Sequence, residues 1–114
     1  MTTEAPDFGR LLRERLARAE AVASQIEAQL VGLGDLRDPN TDDEHDPDGA
    51  PVSGEWSRLA GMRLDNRFER TEILAAIDRL ERDAFGICEA CGRPIAEARL
   101  RARPVARTCV DCAA

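Results

Sequence analysis

Aromatic residues are scarce in this 114-residue chain, which has three Phe, one Trp and no Tyr. So few large rings cannot fill an ordinary globular core. With 33% of the residues charged, the composition fits helices joined along a thin apolar seam better than a compact α/β domain. Histidine occurs once, at His45, and no nucleophile has a histidine partner. A glycine loop able to cradle phosphate is also missing, so an enzyme is the least supported class. No apolar run approaches the roughly 20 residues needed to span a bilayer, and no membrane association is expected. The first seven residues, Met1 to Asp7, are acidic and lack an apolar signal core, which leads us to expect a cytoplasmic protein.

Lysine is absent, and all sixteen basic residues are arginine. The net charge of −6 is concentrated in one segment. Between Arg37 and Glu55 stand seven acids and one arginine, while the fifteen acids and fifteen arginines elsewhere cancel. Such a segment repels nucleic acid phosphates, so sequence-specific DNA binding is not expected.

All four cysteines fall in the last thirty residues, as Cys88-Glu89-Ala90-Cys91-Gly92 and Cys109-Val110-Asp111-Cys112. Seventeen residues separate the two Cys-x-x-Cys pairs. Each pair can set two thiolates on one small loop, and two such loops make a closed tetrahedral sulfur site suited to one structural Zn2+. Gly92, directly after Cys91, suits a knuckle where backbone amides crowd toward sulfur, since glycine tolerates either sign of φ. The competing readings are two disulfides, which need an oxidising compartment, and a redox pair, which expects a βαβ context not visible here.

Heptad spacing dominates the rest. Leu12, Leu16, Ala19, Ala23, Ile26, Leu30 and Leu33 recur in alternating steps of four and three, predicting a helix from near Phe8 to about Leu33 that stops at Gly32, Gly34 and Pro39. Residues 35–54 carry three prolines and almost no apolar side chains, and they read as a loop with Ser53 as the next N-cap. A second helix is predicted from about Glu55 to Phe85, with Gly86 ending it. Its apolar stripe runs through Trp56, Leu59, Ala60, Leu64 and Phe68 to Ile73, Ile77, Leu80 and Ala84, with a poorer match around Gly61, Arg63 and Asn66 that predicts either local fraying or a polar layer. The fold class is therefore mainly α: a long antiparallel coiled-coil hairpin over 1–85, with an acidic tip at about 35–54, followed by a small four-cysteine zinc-finger module over 86–114. Ala96 to Ala102 reads as a short helix in that module, whose packing residues are Ile87, Ile95, Leu100, Val105 and Val110. A monomer is expected.

The run Phe85-Gly86-Ile87-Cys88-x-x-Cys91-Gly92-x-x-Ile95-x-x-x-Arg99-Leu100-x-x-x-Pro104-x-x-x-x-Cys109-x-x-Cys112 closely resembles the zinc finger of the DksA/TraR family, and the upstream hairpin resembles that family's coiled coil. The resemblance implies a bacterial transcription regulator that binds RNA polymerase. Its tip would enter the secondary channel and destabilise promoter open complexes, with ppGpp as a joint effector. Asp42, Asp43, Asp46 and Asp48 are the candidate tip residues. The family's Asp-x-x-Asp-x-Ala pattern is matched only in halves. Asp43 and Asp46 supply both aspartates without the alanine, while His45-Asp46-Pro47-Asp48-Gly49-Ala50 supplies the second aspartate and the alanine but puts histidine at the first position. Two other readings compete. One is a zinc-stapled adaptor that binds another protein through the polar middle of the second helix (Arg63, Asn66, Arg67, Arg70). The other is nucleic-acid binding through Arg93, Arg99, Arg101, Arg103 and Arg107, in a segment of only +2 once Glu89, Glu97 and Asp111 are counted.

Overall fold

The computed structural model describes residues 6–36 and 49–113. Three helices account for most of them: α1 (Phe8–Leu36), α2 (Gly49–Glu81) and the short α3 (Glu97–Ala102). The two long helices form a hairpin. Asp7 caps α1, its Oδ1 accepting the backbone N–H of Arg10 at 3.0 Å, which satisfies one of the orphan donors of a first turn.

Three helix boundaries depart from the expectations above. The first helix passes through Gly32 and Gly34 to Leu36, because glycine weakens a helix by only about 1 kcal/mol and does not break it. The second begins at Gly49, not Glu55, so Ser53 lies inside it. Pro51 is tolerated there because its missing N–H falls in the first turn, where no helical acceptor exists. At the far end α2 stops at Glu81, four residues before Phe85. The Asp83 backbone takes the left-handed conformation (φ 55°), with Ala84 N–H donating to Arg79 O at 2.8 Å and Asp83 N–H to Leu80 O at 3.3 Å. This paired pattern closes the last carbonyls of a helix. Gly86, the expected terminator, takes φ 79° beyond it. The candidate tip residues Asp42, Asp43, Asp46 and Asp48, with His45, lie outside the described residues.

The chain divides into two compact units, residues 19–69 and residues 1–18 with 70–114. In the first, Ile26, Leu30 and Leu59 form the buried cluster, with Leu33 and Trp56 packed against it. The Asn66 amide Nδ2 donates to Ala19 O at 3.0 Å, and Arg63 pairs with Glu27 at 3.1 Å. Partners on α2 descend in number as those on α1 ascend, as an antiparallel pair requires. Of the two alternatives for the middle of α2, the polar layer is the one present: the helix runs unbroken there. The apolar stripe expected through Leu64 and Phe68 is not present: these are 65% and 70% exposed. Leu59 and Ile73 are fully buried with Asn66 between them, so the seam keeps its seven-residue step through a polar side chain.

In the second unit, Leu12, Ile73 and Ala76 are buried, and a methyl group on Gly9 would meet Leu80 Cδ2 at 3.2 Å. The helices approach closely there. Phe8 and Phe85 pack against each other with ring centroids 5.0 Å apart and planes tilted by 43°. Both pack on a cluster of Cys88, Ile95 and Leu100 that Cys109 and Cys112 complete. Two expected packing residues, Ile87 and Val110, are 41% and 67% exposed; the phenylalanines take that place.

Candidate metal centre

Each cysteine pair sits on a turn held by its own backbone. In the first, Gly92 N–H donates to Cys88 O at 2.9 Å and Cys88 N–H to Arg93 O at 2.8 Å. Gly92 takes φ 75°, a conformation that costs other residues about 1–2 kcal/mol. An antiparallel bridge between Ile87 and Pro94 closes the loop. In the second turn, Cys112 and Ala113 N–H groups both donate to Cys109 O, at 3.1 and 2.9 Å. Glu89 N–H reaches Arg107 O at 2.9 Å and ties the two turns together.

These turns bring all four sulfurs within 4.8 Å of one another. Cys91 Sγ and Cys109 Sγ are 3.8 Å apart. Four sulfurs at about 2.3 Å from one tetrahedral ion stand about 3.8 Å from each other, so the donor set fits zinc in both distance and softness. The thiols lack equal acidity. Backbone hydrogen bonding from Cys109, then from Cys91 and Ala90, outweighs burial and holds Cys88 down to about 6. Hydrogen bonding to the sulfurs of Cys109, Cys88 and Cys91 pushes Cys112 up to about 12. Crowded sulfurs resist full ionisation unless a cation sits among them. Zinc supplies that charge, and four protein ligands leave no open position for water, so its role is structural.

Sequence reasoning missed the clamp beside this centre. Arg107, two residues before Cys109, donates Nε and Nη2 to the two carboxylate oxygens of Glu72 on α2, at 2.9 and 2.6 Å. Its Nη1 reaches Glu89 Oε1 at 3.1 Å. The arginine holds the Glu72 carboxyl below the usual carboxylate range, and Glu72 in turn raises the guanidinium. Arg79 is 7% exposed beside them; burial pushes the pKa of its guanidinium down, and its Nη2 lies 3.5 Å from Val105 O. Only the position of Arg107 next to a cysteine turn could have flagged this group.

A helical hairpin whose base is closed by a four-cysteine metal module defines a class of zinc-stapled coiled-coil proteins. Residues 84–114 match the prokaryotic DksA/TraR C4-type zinc finger. The RNA polymerase-binding transcription factor DksA of Haemophilus influenzae is 35% identical over 87 residues, 76% of this chain and 60% of that protein. Its Escherichia coli K12 namesake is 38% identical over 55 residues, 45% of this chain and 36% of that protein. The chain therefore aligns with less than two thirds of either relative. The structure of transcription factor DksA2 from Pseudomonas aeruginosa superposes with a TM-score of 0.74 at 27% identity, covering 91% of this chain and 75% of that one. The C-terminal module is thus similar to the DksA/TraR C4-type zinc finger, and the chain as a whole is similar in fold to DksA2.

Proposed function

We propose that the protein is a transcription regulator that binds RNA polymerase through the secondary channel and modulates initiation. The observation that carries this reading is the likeness to DksA2 over 91% of the chain, hairpin and C4 module together. In this reading Cys88, Cys91, Cys109 and Cys112 hold one structural zinc that fixes the hairpin's base, and no reaction is assigned to the protein. The acidic segment carrying Asp42, Asp43, Asp46 and Asp48 enters the channel, where concentrated negative charge suits a basic or metal-bearing cavity. It acts in the cytoplasm as a monomer, with ppGpp as a joint effector.

The adaptor reading rested on the polar middle of α2. Two of those side chains are engaged inside the hairpin, Asn66 with Ala19 O and Arg63 with Glu27, which favours the polymerase reading. Capture with core RNA polymerase and in vitro transcription test the choice. The zinc-loaded chain should co-purify with the enzyme and shorten open-complex lifetime. The Asp43→Asn, Asp46→Asn, Asp48→Asn variant should lose the effect on transcription. Capture of a different dominant partner, with no polymerase bound, would replace this reading by the adaptor.

A further inference from the structure

One cleft lies apart from the cysteines. It measures about 200 Å³ and is lined by Leu11, Arg15 and Arg18 of α1 and by Arg101, Ala102 and Pro104 at the end of α3. All six belong to the same compact unit. Three arginines and no acid line it, in a chain whose net charge is −6. Of the other arginines of this unit, Arg10 pairs with Glu14, Arg82 with Asp78, Arg99 with Thr108 O, and Arg107 with Glu72 and Glu89, while the side chains of Arg13, Arg93 and Arg103 make no hydrogen bond or ion pair among the described residues and line no part of the cleft. The side chains of Arg15 and Arg18 make no hydrogen bond or ion pair among the described residues. Arg101 has only Glu97, at 3.6 Å and with both side chains about half exposed.

We propose that this cleft binds a compact organic phosphate. Guanidinium groups stay charged at any physiological pH, and their planar forks match the oxygens of a phosphoryl group. A phosphate can engage several forks at once, whereas a monocarboxylate can satisfy only one or two. Leu11, Ala102 and Pro104 give the same cleft an apolar wall, which suits the body that carries the phosphate. The volume falls below the roughly 300–1,000 Å³ of pockets for drug-sized ligands, so the ligand is small. This site is independent of the polymerase reading, and its test uses no polymerase.

The zinc-loaded full chain is titrated with phenyl phosphate by calorimetry at low salt, alongside proton–nitrogen spectra of the arginine side chains. One saturable site is expected, with shifts concentrated on the Nε–H groups of Arg15, Arg18 and Arg101. R15Q, R18Q and R101Q should each weaken binding about tenfold or more, the loss of a charged hydrogen bond, and R67Q should leave it unchanged. Benzoate should bind at least about tenfold more weakly than phenyl phosphate by the same arithmetic. Absence of saturation, benzoate binding as tightly, or an R67Q effect equal to that of R101Q would overturn the assignment. The spectra of the unmodified chain decide even if a variant misfolds: shifts spread over every arginine mean diffuse charge attraction and no site.

Discussion

Asn66 offers the sharpest test of how the hairpin is specified. It is 7% exposed at a seam position flanked by fully buried Leu59 and Ile73, and its amide donates to Ala19 O at 3.0 Å. That carbonyl already accepts the helical N–H four residues on, so deleting the amide orphans no acceptor. Asn66→Ala should cost the net worth of one buried hydrogen bond, about 0.5–1.5 kcal/mol, plus a small cavity term, for about 1–2 kcal/mol in all. Asn66→Leu loses the same bond but gains about 1.5–3 kcal/mol of apolar burial, so it should be more stable than the native chain by about 0.5–2 kcal/mol. Register is what the leucine gives up. A lone polar residue in an apolar seam disfavours slipped pairings that an all-apolar seam tolerates. Urea unfolding of the zinc-loaded proteins at an unchanged m-value reads the first effect, and amide exchange over 19–69, faster in the leucine variant than its higher stability implies, reads the second. An alanine variant as stable as the native chain, or a leucine variant as weak as the alanine one, would refute the reasoning.

The Arg107 clamp predicts a pH signature. Glu72 is held below its ordinary range by Arg107, so the clamp's stabilisation is fully present above the unfolded carboxylate value, about 4.3, and is lost as pH falls through the lower folded value. Glu72→Gln should cost about 1–2 kcal/mol at pH 7, discounted for the 37% exposure of the Arg107 side chain. The gap between the two proteins should close below about pH 4, and a gap independent of pH would show that the ion pair contributes nothing. Two glycines should respond with opposite signs in the same unfolding assay. Gly61 sits mid-helix with nothing within 4 Å of an added methyl group, so Gly61→Ala should stabilise by about 0.5–1 kcal/mol. Gly86, at φ 79° with Leu100 Cδ1 at 3.3 Å from the added carbon, should lose about 1–2 kcal/mol or more on the same change; equal responses would refute the backbone argument. Stripping zinc with a chelator should collapse the dispersed amide signals of residues 86–112 and also those around Phe8, because Phe8 packs on the cysteine cluster. A Phe8 turn untouched by chelation would refute that shared core.

What the sequence showed clearly was chemistry fixed by spacing. Two Cys-x-x-Cys pairs and a following glycine specify the sulfur cluster almost without context, and the seven-residue recurrence of Leu12, Ala19, Ile26 and Leu33 specifies one face of α1. Errors arose where propensity and packing disagreed. Leu64 and Phe68 are apolar and four apart, so they read as seam, yet α2 keeps Leu59, Asn66 and Ile73 inward because the partner helix sets the register. Gly32, Gly34 and Pro51 read as breakers, but a glycine costs a helix only about 1 kcal/mol and a proline in the first turn removes no bond. Asp83 ends α2 in place of Gly86 because a Schellman closure needs a left-handed residue, which aspartate adopts more readily than most. No composition rule could have paired Glu72 with Arg107, thirty-five residues apart.

That pairing bears on what the metal does for the hairpin. The C-terminal module has four well-buried apolar residues of its own, Ile95, Leu100, Pro104 and Ala106, beside Cys88, too few to order some twenty-five residues against a conformational entropy cost of about 1–2 kcal/mol each. Two things supply the difference: the metal's binding free energy, and surface borrowed from the helices through Phe8, Phe85 and the Glu72 fork. Borrowing works in both directions. The first turn of α1 is covered by the module, and the last turns of α2 are tied to it by charge, so ordering the sulfur site also orders both helix ends at the base. Zinc occupancy is in this way a condition for the hairpin's base as well as for the finger, and Phe8→Ala should weaken zinc affinity although Phe8 contributes no ligand. Competition against a zinc-binding dye would measure that loss, and an affinity equal to the native chain's would mean that the module folds on its metal alone.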